Sequence, residues 1–504
     1  MNWFSILLMI LGGLLPTATG LAAPQWSFTD ITELAGVGGP AEPGRTGGHG
    51  VMFSDVDHDG LPDLYITMIF QEPMSELFYR NLGGGRFREE AAVRGIQDFD
   101  GGSHGACFAD LNNNGHYDLF NGATVDFPPH FANNRIYQND GRGFFADVTD
   151  KSGLPMDRRW GTRAVLAIDI DGNGWLDLFC VTGHQGSDRP SADRNEVYRN
   201  LGQMQFRDWE LEPLIRVPCA QGAVDTDYNG DGRIDILSAN RTGPVNILQN
   251  LGQGEFTVVP PESLGIHHRA DDGISASDVN NDGHMDLLLT SADQGHLYLN
   301  LGDGTFRHHQ SFENTRGYMG AFGDLNLDGF VDLVFAGDDK VYINDGHGKF
   351  IAGPTVELGR IDDPRGIAMA DIDGDGDLDF AIACKRSTNR MVQNNLSGEG
   401  RWLKLRLLSP QGQAGAFGAR VWVYPAGQLA QRKGHPSPGL LAMREARSNQ
   451  GYLGQDDPVL HVGLTKHESV DIAIRYTDGT TRQYTNIATN QTVLLSGNSE
   501  SVGN

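Results

Sequence analysis

The sequence predicts an all-β chain, a seven-bladed β-propeller followed by a small antiparallel β domain. Three observations predict it. An acidic nine-residue motif returns seven times, a glycine-rich motif follows six of the copies by about 20 to 30 residues, and after about residue 400 plain alternation of apolar and polar residues takes over.

The acidic motif reads D-x-[DN]-x-[DN]-G-x-x-D and starts at Asp55, Asp110, Asp169, Asp227, Asp278, Asp324 and Asp371. Successive copies lie 55, 59, 58, 51, 46 and 47 residues apart, the length of a repeat built as one small sheet. A short apolar run stands before each copy and another after it ("GVMFS" and "LYITM" around the first), so each copy joins two consecutive strands. The second motif, N-x-G-x-G-x-F, starts at Asn81, Asn139, Asn250, Asn300 and Asn344, with "NLGQMQF" from Asn200 lacking one glycine. Asn and Gly tolerate positive φ, which predicts a hairpin between the outer strands with the Phe anchoring the last one. The unit therefore has about four strands. Radial closure hides the terminal sheets that a linear stack leaves exposed, and it predicts that "WSFTDITELAGV" from Trp26 supplies the outer strand of the last blade.

Positions 1, 3, 5 and 9 of the motif carry oxygen side chains, position 6 is always Gly and position 7 is anything. That is the front half of an EF-hand-like loop, closed by a carboxylate at position 9, with position 7 offering only its carbonyl. Hard oxygen ligands suit calcium. The candidate ligands are Asp55, Asp57, Asp59, Leu61 and Asp63 in the first loop and Asp110, Asn112, Asn114, His116 and Asp118 in the second. They are Asp169, Asp171, Asn173, Trp175 and Asp177 in the third, and Asp227, Asn229, Asp231, Arg233 and Asp235 in the fourth. The fifth offers Asp278, Asn280, Asp282, His284 and Asp286, and the sixth Asp324, Asn326, Asp328, Phe330 and Asp332. Asp371, Asp373, Asp375, Asp377 and Asp379 form the seventh. Asx-rich turns that cap their own backbone account for one or two such residues per turn, not four oxygen positions in a fixed frame. Up to seven structural calcium ions are expected, the second loop with its two asparagines binding most weakly.

The acidic loops with their apolar flanks resemble the FG-GAP (VCBS) repeats of integrin-α-type seven-bladed propellers, over about residues 26 to 400. Further on, "GQAGAFGARVWVY", "GYLGQDDPVLHVGL" and "VDIAIRYTDG" resemble the ASPIC/UnbV domain that follows such propellers in cartilage acidic protein-like proteins. That family's Trp-Pro-x-Gly is here Tyr476-Thr477-Asp478-Gly479. The expected division is an export signal at 1–23, the propeller at 24–400, the β domain at 401–498 and a tail at 499–504. The signal is read from an apolar stretch, Trp3 to Leu15, too short to span a bilayer, followed by small residues. A secreted, periplasmic or cell-surface protein is expected. Cys107, Cys180, Cys219 and Cys384 are too few for a disulfide framework and lack metal-ligand spacing; buried thiols are expected, with a Cys180–Cys219 bridge open.

Acidic residues outnumber basic ones 65 to 39 in 504 residues, a net charge of −26, which argues against nucleic acid as the partner. Seven divalent ions would bring the charge to about −12. Counting six residues back from each loop gives one position per blade: His49, His104, Arg163, Gln221, Asp272, Tyr318 and Arg365. In a propeller these ring the mouth of the central channel opposite the loops, a candidate site for an extracellular protein or glycan. A binding or adhesion module is one reading, with a secreted polysaccharide lyase or hydrolase using His or Arg of that ring as the alternative. No G-x-S-x-G or H-E-x-x-H motif is present, and His461 in "VLHVGL" reads as a structural histidine.

Overall fold

The computed structural model describes residues 26–503 except 40–47, 70–75, 98–101, 124–132, 157–160, 183–193, 218–219, 397, 399, 430–438 and 499–501. The export-signal region and Cys219 lie outside the described residues. Seven blades of four strands follow one another, the first joined by a fifth strand, Gly454–Gln455, and each acidic loop joins an inner strand to a second strand that begins on the position-9 aspartate. In the first blade these are Gly48–Ser54 and Asp63–Met68; in the last, Pro364–Ala370 and Asp379–Cys384. Both strands of the first blade are buried throughout, because neighbouring blades cover both faces; this is why the sequence shows apolar runs there rather than alternation.

Inner strands of successive blades touch all the way round, and the last, Pro364–Ala370, packs against the first, Gly48–Ser54. Phe28–Asp30 pairs antiparallel with Arg390–Asn394 and completes the seventh blade, Phe28 opposite Asn394. Closure thus joins the two ends of the ring through backbone hydrogen bonds.

The asparagine of the glycine-rich motif does more than the turn chemistry assigned to it. It has no positive φ and closes the third strand of most blades, while the glycines after it, such as Gly141 at +81° and Gly143 at +74°, make the turn. Its buried side chain stitches blades together. Asn139 Nδ2 donates to the carbonyl of Tyr117 in its own blade and of Val56 in the blade before, at 3.0 and 2.9 Å. Asn81, Asn200, Asn300, Asn344 and Asn394 make the equivalent bond to Ile372, Leu111, Tyr228, Val279 and Leu325. In "NLGQMQF" the absent glycine is replaced by Met204, held at φ +59°.

Residues from Arg401 form two packed sheets. Arg401–Leu408 lies between Leu460–Thr465 and Gln491–Ser496, with Val502–Gly503 at the edge; Arg420–Pro425 lies between Ala442–Glu445 and Ser469–Arg475, followed by Thr481–Ala488. All pairs are antiparallel except Arg401–Leu408 with Gln491–Ser496. The region read as a tail therefore contributes a final short strand, Val502–Gly503, which pairs with Leu494 and Leu495. Leu403, Leu405, Val421, Val423, Ile472 and Leu495 fill the space between the sheets.

One segment of this domain leaves it. Ala446–Asp457 runs down the propeller's axis and meets every blade. Gly454 and Gln455 pair in parallel with Val51 and Met52, and the Gln455 amide clasps both the N–H and the carbonyl of Phe108 at 2.8 Å. Ser448 Oγ accepts from Ala167 N–H and Asn449 donates to the Val165 carbonyl. Ser448 N–H donates to Asp225, Ser275 Oγ donates to the Gln450 carbonyl, and Asp456 accepts from Met369 N–H. Tyr452 and Leu453 pack with Met319. Inner strands present unpaired backbone groups to the channel, and this plug pairs several of them.

Candidate functional site

The acidic loops share one backbone frame. The position-6 glycine N–H donates to the position-1 carboxylate in all seven, from Gly60 to Asp55 (3.1 Å) through Gly376 to Asp371 (3.1 Å). The position-9 carboxylate accepts the backbone N–H of the motif asparagine in six loops, as Asp63 does from Asn81 at 2.8 Å, and of Asn394 in the seventh. Position 4 is left-handed throughout although only three copies place Gly there: His58, Asn113, Asn281 and Leu327 stand at φ between +53° and +60°. Position 7 does more than offer a carbonyl. Its side chain covers the hairpin glycine of its own blade, so that a Cβ on Gly141 would meet the His116 ring at 2.6 Å, and one on Gly202 the Trp175 ring at 3.0 Å.

Carboxylates converge inside this frame. Asp55, Asp57 and Asp59, then Asp169, Asp171 and Asp177, then Asp371, Asp373 and Asp379 each place one oxygen per residue within 4.8 Å of the others. Asp55 Oδ1, Asp57 Oδ1, Asp63 Oδ2, Asp171 Oδ1, Asp235 Oδ2 and Asp377 Oδ1 are buried and accept no hydrogen bond. Burial, reinforced by neighbouring carboxylates, pushes Asp63, Asp118 and Asp235 up to about 8. These all-oxygen donor sets with orphaned buried oxygens fit a hard divalent cation.

The C-terminal domain is seated on this face and brings its own cations. Arg406 pairs with Asp55, Lys404 Nζ lies 2.7 Å from Asp371, and Arg475 lies 2.8 Å from Asp227. Arg420, buried, lies 3.5 Å from Asp227 and 2.7 Å from Glu445. Backbone N–H groups of Ala414 and Gly463 donate to Asp110 and Asp324, both at 2.9 Å. His461 is buried and donates Nε2–H to the Gly376 carbonyl at 2.9 Å; burial pushes it down to about 4, so at neutral pH it is an uncharged strut under the seventh loop. Nothing in the loop motif signals that five of the seven position-1 aspartates meet the second domain.

At the opposite end of the inner strands, His49, Arg163, Asp272, Tyr318 and Arg365 line one cavity of about 470 Å³ together with Arg241, Asp271, Lys385 and Tyr452 of the plug. His104 and Gln221 are buried beside it rather than lining it. His104 Nδ1 accepts from the Arg163 guanidinium at 3.0 Å, and the ring meets that of His49 edge-on at 4.3 Å. Burial and the surrounding cations hold His49 well below its usual range, hence neutral. Arg365 lies over the Tyr318 ring at 4.2 Å and bridges to Asp363 at 2.7 Å; Arg241 bridges to Asp272. Four cations and two carboxylates face the cavity, an excess of positive charge in a chain of net −26.

Residues 55–120, 227–289, 278–335 and 324–382 match the FG-GAP-like repeat family, and residues 409–502 match ASPIC and UnbV. The chain carries FG-GAP repeats and a C-terminal ASPIC and UnbV domain. This FG-GAP chain is similar to cartilage acidic protein 1 of Mus musculus, 22% identical over 486 residues that cover 86% of this chain and 70% of that protein. The same protein of Xenopus tropicalis is 23% identical over 487 residues, again 86% of this chain and 70% of the relative. Among solved structures, one describing specific recognition of non-reducing terminal N-acetylglucosamine by an Agrocybe aegerita protein is 19% identical with a TM-score of 0.40, over 66% of this chain and 88% of that one. BBS1N in complex with ARL6DN is 13% identical with a TM-score of 0.44, over 72% and 95%. Among the described residues Cys107, Cys180 and Cys384 of the FG-GAP chain are buried free thiols, and the expected Cys180–Cys219 pairing involves a residue outside them. Among the described residues no helix is long and apolar enough to cross a membrane.

Proposed function

We propose that this FG-GAP chain is an exported binding module: calcium in the acidic loops holds the propeller rigid, and an extracellular protein or glycan bearing acidic groups is engaged at the cavity on the opposite face. The observation that carries this reading is the convergence of five blade-equivalent residues, His49, Arg163, Asp272, Tyr318 and Arg365, around one open cavity with excess positive charge. Concave sites with a few convergent polar groups are where small ligands and chain ends bind, and guanidinium groups match carboxylates and sulfates in a planar, two-pronged way.

Calcium is supported by the repeated frame and by the orphaned oxygens within it. Each ion would be held by positions 1, 3, 5 and 9 and the carbonyl of position 7, tying the end of an inner strand to the start of the next. The ion supplies charge compensation and cross-linking. Extracellular modules bind calcium with dissociation constants of about 0.1 to 1 mM, so at about 1 mM calcium each site adds roughly 0.4 to 1.4 kcal/mol.

The test is capture on an acidic-glycan array and pull-down from extracellular extracts, with wild type and an Arg163→Ala/Arg365→Ala double variant. Loss of capture in the variant, with the calcium-dependent rise in melting temperature intact, is expected. Equal capture by both proteins refutes the cavity as the site. Unsaturated sugar products from an acidic polysaccharide would instead identify a lyase.

A further inference from the structure

We propose that His268, His296 and His308 form a binding site for a transition-metal cation of the zinc class on the outer part of the fifth blade. One ring nitrogen of each lies within 4.8 Å of one from each of the others. The site is separate from the acidic loops, and its nitrogen donors select a different kind of ion: imidazole suits zinc, copper and nickel, whereas calcium takes oxygen.

The cluster is assembled by a break in strand pairing. In Gln294–Asn300 and Phe306–Glu313, Leu297 faces Gln310 but Tyr298 faces His308, which leaves His309 as an extra residue. Side chains along a strand alternate between faces, so residues 308 and 311 belong on opposite sides of a regular strand. The bulge at His309 brings both to the side of His296 and Tyr298, and bulges that re-aim a side chain in this way recur beside functional sites. His268 arrives from the segment that leads into the blade and stacks on His296, ring centres 3.8 Å apart.

Each imidazole is also braced by a hydroxyl. Ser311 Oγ lies 3.1 Å from both His296 Nδ1 and His308 Nε2, and the Tyr298 hydroxyl meets His268 Nδ1. Metal-bound histidines are held by a hydrogen bond on their second nitrogen, which fixes the ring plane and the tautomer. Once His268 turns out of its stack on His296, so that both ring planes can contain the ion, the three imidazoles, half-buried at His268 and His296 and exposed at His308, supply three of four tetrahedral positions. The fourth stays open to water or to a ligand atom from a partner, as in sites where zinc does more than hold a fold together.

The test is titration of zinc chloride into the calcium-saturated full-length protein, followed by calorimetry, and cobalt(II) in its place, followed by visible absorption. About one equivalent of saturable uptake at this site and the bands of four-coordinate cobalt are expected. His308→Ala, a change at an exposed side chain, lowers the affinity at least tenfold, and Ser311→Ala lowers it about tenfold through the lost brace. Uptake persists in His58→Ala, which removes one ring of the His58–His116 pair elsewhere on the surface. No saturable uptake, uptake unchanged in His308→Ala, or uptake abolished in His58→Ala would each overturn the site.

Discussion

The two ends of the propeller's inner strands are built from the same repeat yet meet opposite fates. At one end seven acidic loops crowd carboxylates together and are covered by the C-terminal domain, whose Arg406, Lys404, Arg420 and Arg475 pair with Asp55, Asp371 and Asp227. At the other end the blade-equivalent residues are basic, aromatic or neutral except Asp272, which pairs with Arg241, and five of them line an open cavity together with Tyr452. The difference teaches that one face is taken up in holding the molecule together while the other keeps an open cavity of about 470 Å³.

Removal of the proposed calcium ions is the largest lever on this contrast. Chelation in neutral buffer is expected to cost about 3 to 10 kcal/mol, summed over seven sites, and to lower the melting temperature steeply in scanning calorimetry. An unchanged melting temperature would mean that the loops need no ion. Next comes Arg420→Ala, which leaves Glu445 without its nearest cation in a buried position and is expected to cost about 3 to 5 kcal/mol in urea unfolding. If the Arg163→Ala/Arg365→Ala double variant proved equally destabilised, the division of labour between the faces would fail.

Gly451→Ala probes the plug that joins the two faces. Gly451 stands at φ +119°, and a Cβ there would lie 1.7 Å from the Ile274 carbonyl oxygen, so a loss of about 3 kcal/mol is expected, read as a shifted urea midpoint. A pH dependence follows from Asp456, which faces an interior cavity of about 90 Å³. Burial pushes its carboxyl up to about 7 from an ordinary 3.8, with Arg447 and Asp457 as its charged neighbours. The folded state therefore binds this proton more tightly than the unfolded chain, and the stability it contributes is present below about pH 4 and lost as pH rises through 7. Asp456→Asn should flatten that slope and overtake wild type by pH 8, a comparison of urea midpoints at pH 5 and 8. The smallest effect is expected at the hairpin of the third blade, where exposed Gln203 stands at φ +54°: Gln203→Gly should stabilise by about 0.5 to 1 kcal/mol.

Much of this was legible in the residues. Strand order within a blade, ring closure by the segment after Trp26 and the candidate ligand frame all follow from local spacing, because each is decided within one repeat or between its ends. The interblade role of Asn81 and its equivalents was not, since the carbonyl each one reaches belongs to the preceding blade and a turn explained the asparagine equally well. The left-handed backbone at position 4 was half hidden: glycine marks it in three loops, and His58, Asn113, Asn281 and Leu327 do not. The histidine site had no linear signal at all, because a bulge at His309 and a residue from another segment are needed to assemble it.

The repeat alone determined a closed ring of seven four-stranded sheets, because a unit that cannot bury both faces by itself must stack, and a stack of this curvature ends where it began. Only tertiary structure decided that Ala446–Asp457 fills the axis and that the second domain brings its arginines to the acidic face. Those contacts join residues hundreds of positions apart, and they are chosen by unpaired backbone groups and uncompensated charge that exist only once the ring has formed.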